Sequence, residues 1–346
     1  MTDRQRVRRY AGTAYEVGYA SGQELGEKLE RNIAQYLRER PDDAEAVDWH
    51  RLRAGALSWL RQLPQRFQQE YEGLAVGSGL TLMRVAEWAF LDAYLESGCS
   101  GFVGVHDGHV WLGRNNDMFV PSMWGYAVIR EISGRIPTIS MSLEGCIFSP
   151  SGINRDQLWI HHQYMPVSDA PRSTKPHVAS YVFVTEALET CSTIQEVENL
   201  LNQLDRDDGM LLMVVDGKSD ESAVFECTCQ QTRKRKPVDG RLACTNHALL
   251  FSEPPPQARS VARYRHLEEL MEAQNWDDIA LPEDLIRILA DDGIERREDD
   301  FATVYSVVVC PALRALWTTL GGFPAASHGN WQTIAWPWET SAGEGY

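Results

Sequence analysis

The hydrophobic period of this chain changes once, at Ser97-Gly98-Cys99, and that change limits what it can fold into. Upstream, apolar residues recur every three to four positions; downstream they alternate and are punctuated by turn dipeptides. A helical block followed by hairpins predicts an α+β protein with mostly antiparallel strands. The spacing predicts helices over 15–38, with Leu25, Leu29, Ile33 and Leu37 as its stripe, over 49–72, broken by Pro64, and over 81–96. Thr81 suits an N-cap, and Ser97-Gly98 a glycine stop. Residues up to 98 therefore read as helical.

Beyond that point, 102–106 and 109–114 read as strands joined by Asp107-Gly108, the dipeptide of a tight type I′ hairpin. A second hairpin joins 210–215 to 222–227 around Asp216-Gly217-Lys218. Further strands are expected at 126–132, 138–143, 157–164, 180–185, 241–245, 305–310 and 315–319. Helices are expected at 193–204, 258–272 and 282–290, and loops at 167–175 and 251–257.

Composition narrows the function. A hydrophobic content of 43% is enough for a sizeable core, and 49 acidic against 33 basic residues give a net charge of −16. A field of that sign repels phosphate backbones and anionic lipid, so neither nucleic acid nor a membrane surface is an expected partner. No apolar run approaches the roughly 18 residues of a membrane span. No apolar stretch follows the basic N-terminus, so no signal peptide is expected. Seven cysteines, an odd number without framework spacing, fit a reducing cytoplasm.

The first hairpin can be registered from its turn. If Asp107-Gly108 is a two-residue turn, His106 faces His109, Gly101 faces Arg114 and Cys99 faces Asn116. Alternation then sets Cys99, Gly101, Val103 and Val105 on one face with Val110, Leu112 and Arg114. Arg114 becomes a diagonal neighbour of Cys99, and a guanidinium beside a thiol favours the thiolate. Asp117, expected just past the strand, is within reach of Arg114 or of an amine at residue 99. An unpaired cysteine is ordinarily a small core hydrophobe; a cation and a carboxylate placed beside it by one hairpin favour chemistry.

These residues carry a resemblance. Gly98-Cys99-Ser100-Gly101-Phe102, the Asp107-Gly108 turn and Gly113-Arg114-Asn115-Asn116-Asp117 resemble the start of the mature chain in cysteine N-terminal-nucleophile (Ntn) hydrolases. The likeness is to the acyl-coenzyme A:6-aminopenicillanic acid acyltransferase group (peptidase family C45), and more distantly to choloylglycine hydrolases. Glu72-Gly73-Leu74-Ala75-Val76-Gly77-Ser78-Gly79 is similar to the segment preceding the family's cysteine. Gly152-Ile153-Asn154, the strand ending at Glu226, Thr245-Asn246-His247, Ser260-Val261-Ala262-Arg263-Tyr264 and Tyr305-Ser306-Val307-Val308 follow in the family's order.

The resemblance implies an αββα sandwich and self-processing. Cys99 would attack the carbonyl of Gly98, dividing the chain into a helical pro-segment, 1–98, and a catalytic fragment, 99–346, that stay associated. Cys99 would be the nucleophile, Arg114 the arginine beside the sulfur and Asp117 the carboxylate on the freed amine. Asn246 would supply an oxyanion N–H, Asn154 a second polar group there, and Arg263 would complete the charge network. Kin commonly carry two hydroxyl residues after the cysteine; Gly101 replaces the second, which predicts slow or absent processing if that hydroxyl assists. Gln157 stands where relatives often have glycine.

Asn154, after Pro150-Ser151-Gly152, also suits a turn, Asn246 a strand end, and Arg263 a solvated basic face with Arg259 and Arg265. His161-His162 and His106/His109 are poorly arranged for a metal, and Cys227-Thr228-Cys229 with Cys244 lacks zinc-knuckle spacing. No nucleophile elbow, Walker loop or dinucleotide fingerprint occurs, so no cofactor or metal is expected. Three functions follow. The first is an autoprocessed amidohydrolase cleaving a linear, non-peptide amide of a small-molecule acyl group. The second is an N-acyltransferase using an acyl thioester, and the third a non-catalytic binding protein on the same fold. Sequence does not specify an oligomeric state.

Overall fold

The computed structural model describes residues 6–39, 49–93, 98–119, 121–170, 179–204, 206, 208–252 and 254–338. The chain starts with a strand, β1 (Val7–Gly12), and five helices follow: α1 (Ala14–Leu25), α2 (Glu27–Glu39), α3 (Trp49–Leu60), α4 (Gln65–Ser78) and α5 (Leu82–Ala93). Thr13 begins α1 with a reciprocal capping box to Glu16, and Gly26, at φ 51°, ends it, so the helix expected over 15–38 is two. The stop expected at Ser97-Gly98 falls mostly on residues outside those described. Helices α1 and α4 pack backbone to backbone through glycines. A Cβ on Gly18 would lie 1.9 Å from the Glu70 carbonyl oxygen, and one on Gly73 2.1 Å from that of Tyr15. The glycine-rich run at 72–79 is thus a helix-packing surface.

Hairpin β2 (Ser100–His106) and β3 (His109–Phe119) opens the second half. Next come β4 (Tyr126–Ile132), β5 (Thr138–Ser142), β6 (Ser151–Asn154), β7 (Leu158–Tyr164), α6 (Ser180–Thr190) and α7 (Ile194–Gln203). They lead to β8 (Met210–Asp216), β9 (Glu221–Cys227), β10 (Thr232–Arg235), β11 (Leu242–Cys244), α8 (Ala258–Ala273) and α9 (Glu283–Leu289). The chain closes with β12 (Phe301–Cys310), β13 (Ala315–Thr319), α10 (Ala325–His328) and β14 (Trp331–Thr333).

Among the described residues the strands form an eight-stranded sheet, β1-β4-β5-β6-β7-β8-β9-β10, and a six-stranded sheet, β11-β2-β3-β12-β13-β14. All pairings are antiparallel except β1 with β4. Alternation separates the faces. Val103 and Leu112 of one sheet and Trp159 and Met213 of the other share the central core. Leu158, Ile160, Leu212 and Phe225 face outward onto α6 and α7. Phe102, Trp111 and Val308 face the opposite way, onto α8 and α9. The result is the α+β, four-layer αββα sandwich.

Two expectations are corrected. Residues 180–185 open helix α6 rather than a strand. Tyr181 to Thr185 are all buried, so no solvent-facing side marks the helical period. The first 98 residues are also not wholly helical, because β1 is an edge strand of the larger sheet.

Candidate active site

The hairpin register is the one its turn predicts: His106 pairs with His109 and Gly101 with Arg114. Strand β3 runs on to Phe119, so Asp117 lies within it and not past its end, paired with Thr303 of β12. Alternation along β3 sends Arg114 and Asn116 into the central layer and Asp117 to the α8 side. Cys99, immediately before β2, is therefore approached from both faces.

On the central side its sulfur lies 3.7 Å from Arg114 Nη2 and 3.4 Å from Asn116 Oδ1. Arg114 is wholly buried and donates to the His162 carbonyl oxygen at 2.7 Å and to Asn116 Oδ1 at 2.6 Å. Burial disfavours its charge, but Tyr305 and Cys99 nearby outweigh that and hold the guanidinium above its ordinary range. Register alone points to Asn116; its bridging of arginine and sulfur is a role that sequence reasoning missed.

On the other side, Arg263 of α8 reaches the backbone. Its Nη1 donates to the Gly98 carbonyl oxygen at 3.1 Å and to Asp117 Oδ2 at 3.3 Å, and its Nη2 to the Cys99 carbonyl oxygen at 3.1 Å. The same Nη2 donates to Asn246 Oδ1, while Asn246 Nδ2 donates to the Tyr164 carbonyl oxygen. The β11–β2 register, continued past Cys244, sets Asn246 opposite Cys99. Asp117 accepts from Thr303 Oγ1 at 2.7 Å. Burial pushes its carboxyl up to about 6, with Arg263 and the Thr303 bond opposing. Thr303 is a supporting residue that no local sequence signal marks.

Of the six expected side chains, five meet here: Cys99, Arg114, Asp117, Asn246 and Arg263. Arg263 is buried, unlike its half of the basic run at Arg259. Asn154 does not join them. It faces the α6 layer, where its Nδ2 donates to the carbonyl oxygens of Leu188 and Cys191 and its Oδ1 accepts from the backbone of Asp156 and Leu158. Both amide hydrogens are consumed in tying β6 to α6, which leaves none for an oxyanion.

Gly101 also gains a physical reason. A Cβ there would lie 2.6 Å from His161 Nε2, so an imidazole from β7 fills the side that a second hydroxyl residue would enter. Among the described residues no cluster of three or more histidine, cysteine or acidic side chains forms a metal site. His161 Nδ1 accepts from Trp159 Nε1, His162 stacks edge-on against Tyr181, and His106 and His109 are held by Trp276 and Asp220. No described helix is long and apolar enough to cross a membrane. Beside Gly98 a cavity of about 420 Å³ opens between Phe119, Tyr164, Asn246, Arg263 and Phe301.

The site thus sets one guanidinium beside the Cys99 thiol and a second on the preceding carbonyl, within an αββα sandwich. The family model for acyl-coenzyme A:6-aminopenicillanic acid acyl-transferase matches residues 106–324, more than half of the chain, and the chain belongs to that family. It is accordingly an enzyme of the hydrolase and acyltransferase class, which sets aside the non-catalytic reading. No curated protein matches the sequence.

Solved structures similar to this chain include a mutant conjugated bile acid hydrolase from Clostridium perfringens, 14% identical, with a TM-score of 0.45 over 68% of this chain and 97% of that one. The Caenorhabditis elegans ortholog of N-acylethanolamine-hydrolyzing acid amidase is 15% identical, with a TM-score of 0.47 over 68% and 100%. Penicillin V acylase from Agrobacterium tumefaciens is 11% identical, with a TM-score of 0.48 over 64% and 83%.

Proposed function

We propose that this chain is a cysteine amidohydrolase that activates itself by splitting between Gly98 and Cys99. In the maturation step Cys99 Sγ bonds to the Gly98 carbonyl carbon, the Gly98–Cys99 C–N bond breaks, and the thiol proton passes to the departing nitrogen. Water then cleaves the thioester and leaves a Gly98 carboxylate. Arg114 supports the thiolate, and Arg263, already on the Gly98 carbonyl oxygen, supports the negative charge that builds there.

The freed α-amine, with an ordinary pKa of about 7.7–8.0, takes the role of general base. Asp117, one guanidinium away from the scissile carbonyl, receives it, so no catalytic histidine is required. Cys99 then attacks a linear, non-peptide amide, the amine leaves with the proton, and water resolves the acyl thioester. Asn246, opposite Cys99 in the strand register, would supply an N–H to the oxyanion. The mature protein comprises 1–98 and 99–346, held together because β1 is hydrogen-bonded to β4 and Arg66 and Glu70 are paired with Glu189 and Arg130 across the cut.

The observation that carries this reading is the placing of Arg114 on the sulfur and Arg263 on the Gly98 carbonyl. Intact mass after expression tests it: wild type gives two fragments parting at Gly98/Cys99, and Cys99→Ala gives one 39.1 kDa species. A wild type that stays whole and resists thiol alkylation overturns it. The family's name favours a second reading, in which an amine resolves the thioester formed from an acyl-coenzyme A. Comparing free acid with amide product from one acyl donor separates the two.

A further inference from the structure

On the thioester reading just given, Gly98 is the first acyl group that Cys99 handles. The bond from sulfur to carbonyl carbon is the same whether the acyl group is Gly98 or an external substrate. In both cases an S–C bond forms, an amide C–N bond breaks, the leaving nitrogen takes the proton, and water later cleaves the C–S bond to a carboxylate and a thiol. An acyl carbonyl held by Arg263, as that of Gly98 is, gives its α-carbon the surroundings of the Gly98 α-carbon.

Those surroundings are closed on one side. A methyl group on Gly98 in the L configuration would lie 3.0 Å from both Cε1 and Cζ of Phe301, with Asp117 Cβ 3.7 Å away. Contacts of 3.0 Å between carbons are repulsive, so the ring would have to retreat. It is clamped. Phe119, its partner in the β3–β12 pairing, meets it edge-on with centroids 4.7 Å apart. The Arg296 guanidinium, itself tied to Glu298, lies 4.7 Å over the ring. The cavity of about 420 Å³ beyond has room for the rest of an acyl chain.

We infer that Phe301 is a specificity-determining residue, and that the enzyme takes acyl groups whose α-carbon is an unsubstituted methylene. Among α-branched acyl groups it rejects the enantiomer whose branch points as an L side chain would.

Two arms test this. In the first, splitting is followed by intact mass in wild type, Gly98→Ala, Phe301→Ala and the double variant. Gly98 does not occupy the left-handed region, so alanine adds no backbone strain. Splitting slows roughly tenfold or more in Gly98→Ala. In the double variant it returns to within about threefold of Phe301→Ala alone, the signature of a direct steric pair.

In the second arm, matured enzyme is given the p-nitroanilides of phenylacetic acid and of both 2-phenylpropionic acid enantiomers. The kcat/KM for the L-like enantiomer falls roughly tenfold or more below phenylacetyl, and Phe301→Ala narrows the gap to about threefold. Equal rates for both enantiomers, or a Gly98→Ala defect that Phe301→Ala fails to relieve, overturn the inference while leaving the thioester reading intact. If the wild type splits but cleaves no anilide, the first arm decides. A wild type that neither splits nor cleaves defeats both.

Discussion

Arg263 donates from Nη1 to the carbonyl oxygen of Gly98 at 3.1 Å, and its other terminal nitrogen holds the next carbonyl, that of Cys99. A planar guanidinium spans two successive carbonyls in a way that an ammonium does not. Arg263→Lys is therefore expected to slow splitting about a hundredfold, the scale of losing one oxyanion donor. A time course of intact mass checks this, and an unchanged rate would remove Arg263 from the maturation step.

Arg114 contacts the sulfur, whereas Arg263 contacts the Gly98 carbonyl. Replacing Arg114 with methionine keeps the bulk of its stem and removes the charge 3.7 Å from Cys99 Sγ. Alkylation of Cys99 by iodoacetamide at pH 7 should slow roughly tenfold, since the thiolate loses its counter-charge. Mass spectrometry of the labelled fragment reads the rate.

Asp117 predicts a pH dependence of stability. Its carboxyl, pushed up to about 6 by burial, keeps its proton in the folded chain after the unfolded chain has lost it near 3.8. A folded pKa raised in this way gives stability that is present below about pH 4 and lost as the pH rises through about 6. The full change is worth about 3 kcal/mol. Denaturant unfolding from pH 4 to 7 in an unsplit Cys99→Ala background should show this decline, and Asp117→Asn in that background should lack it.

The buried network of Arg66, Glu70, Arg130 and Glu189 joins residues on either side of the proposed cut. Burial raises the Glu189 carboxyl above its usual range, against the pull of Arg66. Glu189→Gln leaves Arg66 with Glu70 alone, which Arg130 also claims, and should cost about 3 kcal/mol. Thermal unfolding measures that cost, and size-exclusion chromatography of the split variant should show the fragments separating sooner in denaturant than in wild type.

Asn154 separates a structural role from a catalytic one. Asn154→Ala strands the carbonyl oxygens of Leu188 and Cys191 and should destabilise the fold by about 2 kcal/mol. The folded fraction should split at the wild-type rate. A hundredfold slower splitting at full stability would return Asn154 to the site.

Much of this was legible in advance where the physics is local. A two-residue turn admits one register, so Asp107-Gly108 placed Arg114 diagonal to Cys99, and the pairing of Gly101 with Arg114 follows. The helix at α6 was not legible, because a segment buried on every side carries no helical stripe. Nor was β1, whose mixed pattern becomes a strand only by pairing with β4, more than a hundred residues on.

The candidate site divides along the same line. Backbone sterics and side-chain alternation act within a few residues, and they alone determined that one hairpin brings a cysteine and an arginine to one face. Tertiary structure decided the rest. It selected buried Arg263 over exposed Arg259, turned Asp117 away from Arg114 toward α8, sent Asn154 to the opposite layer, and set His161 where a side chain at 101 would go. Those choices depend on which layers of the sandwich meet across stretches of chain from 34 to 165 residues, and no local pattern encodes a contact between two layers.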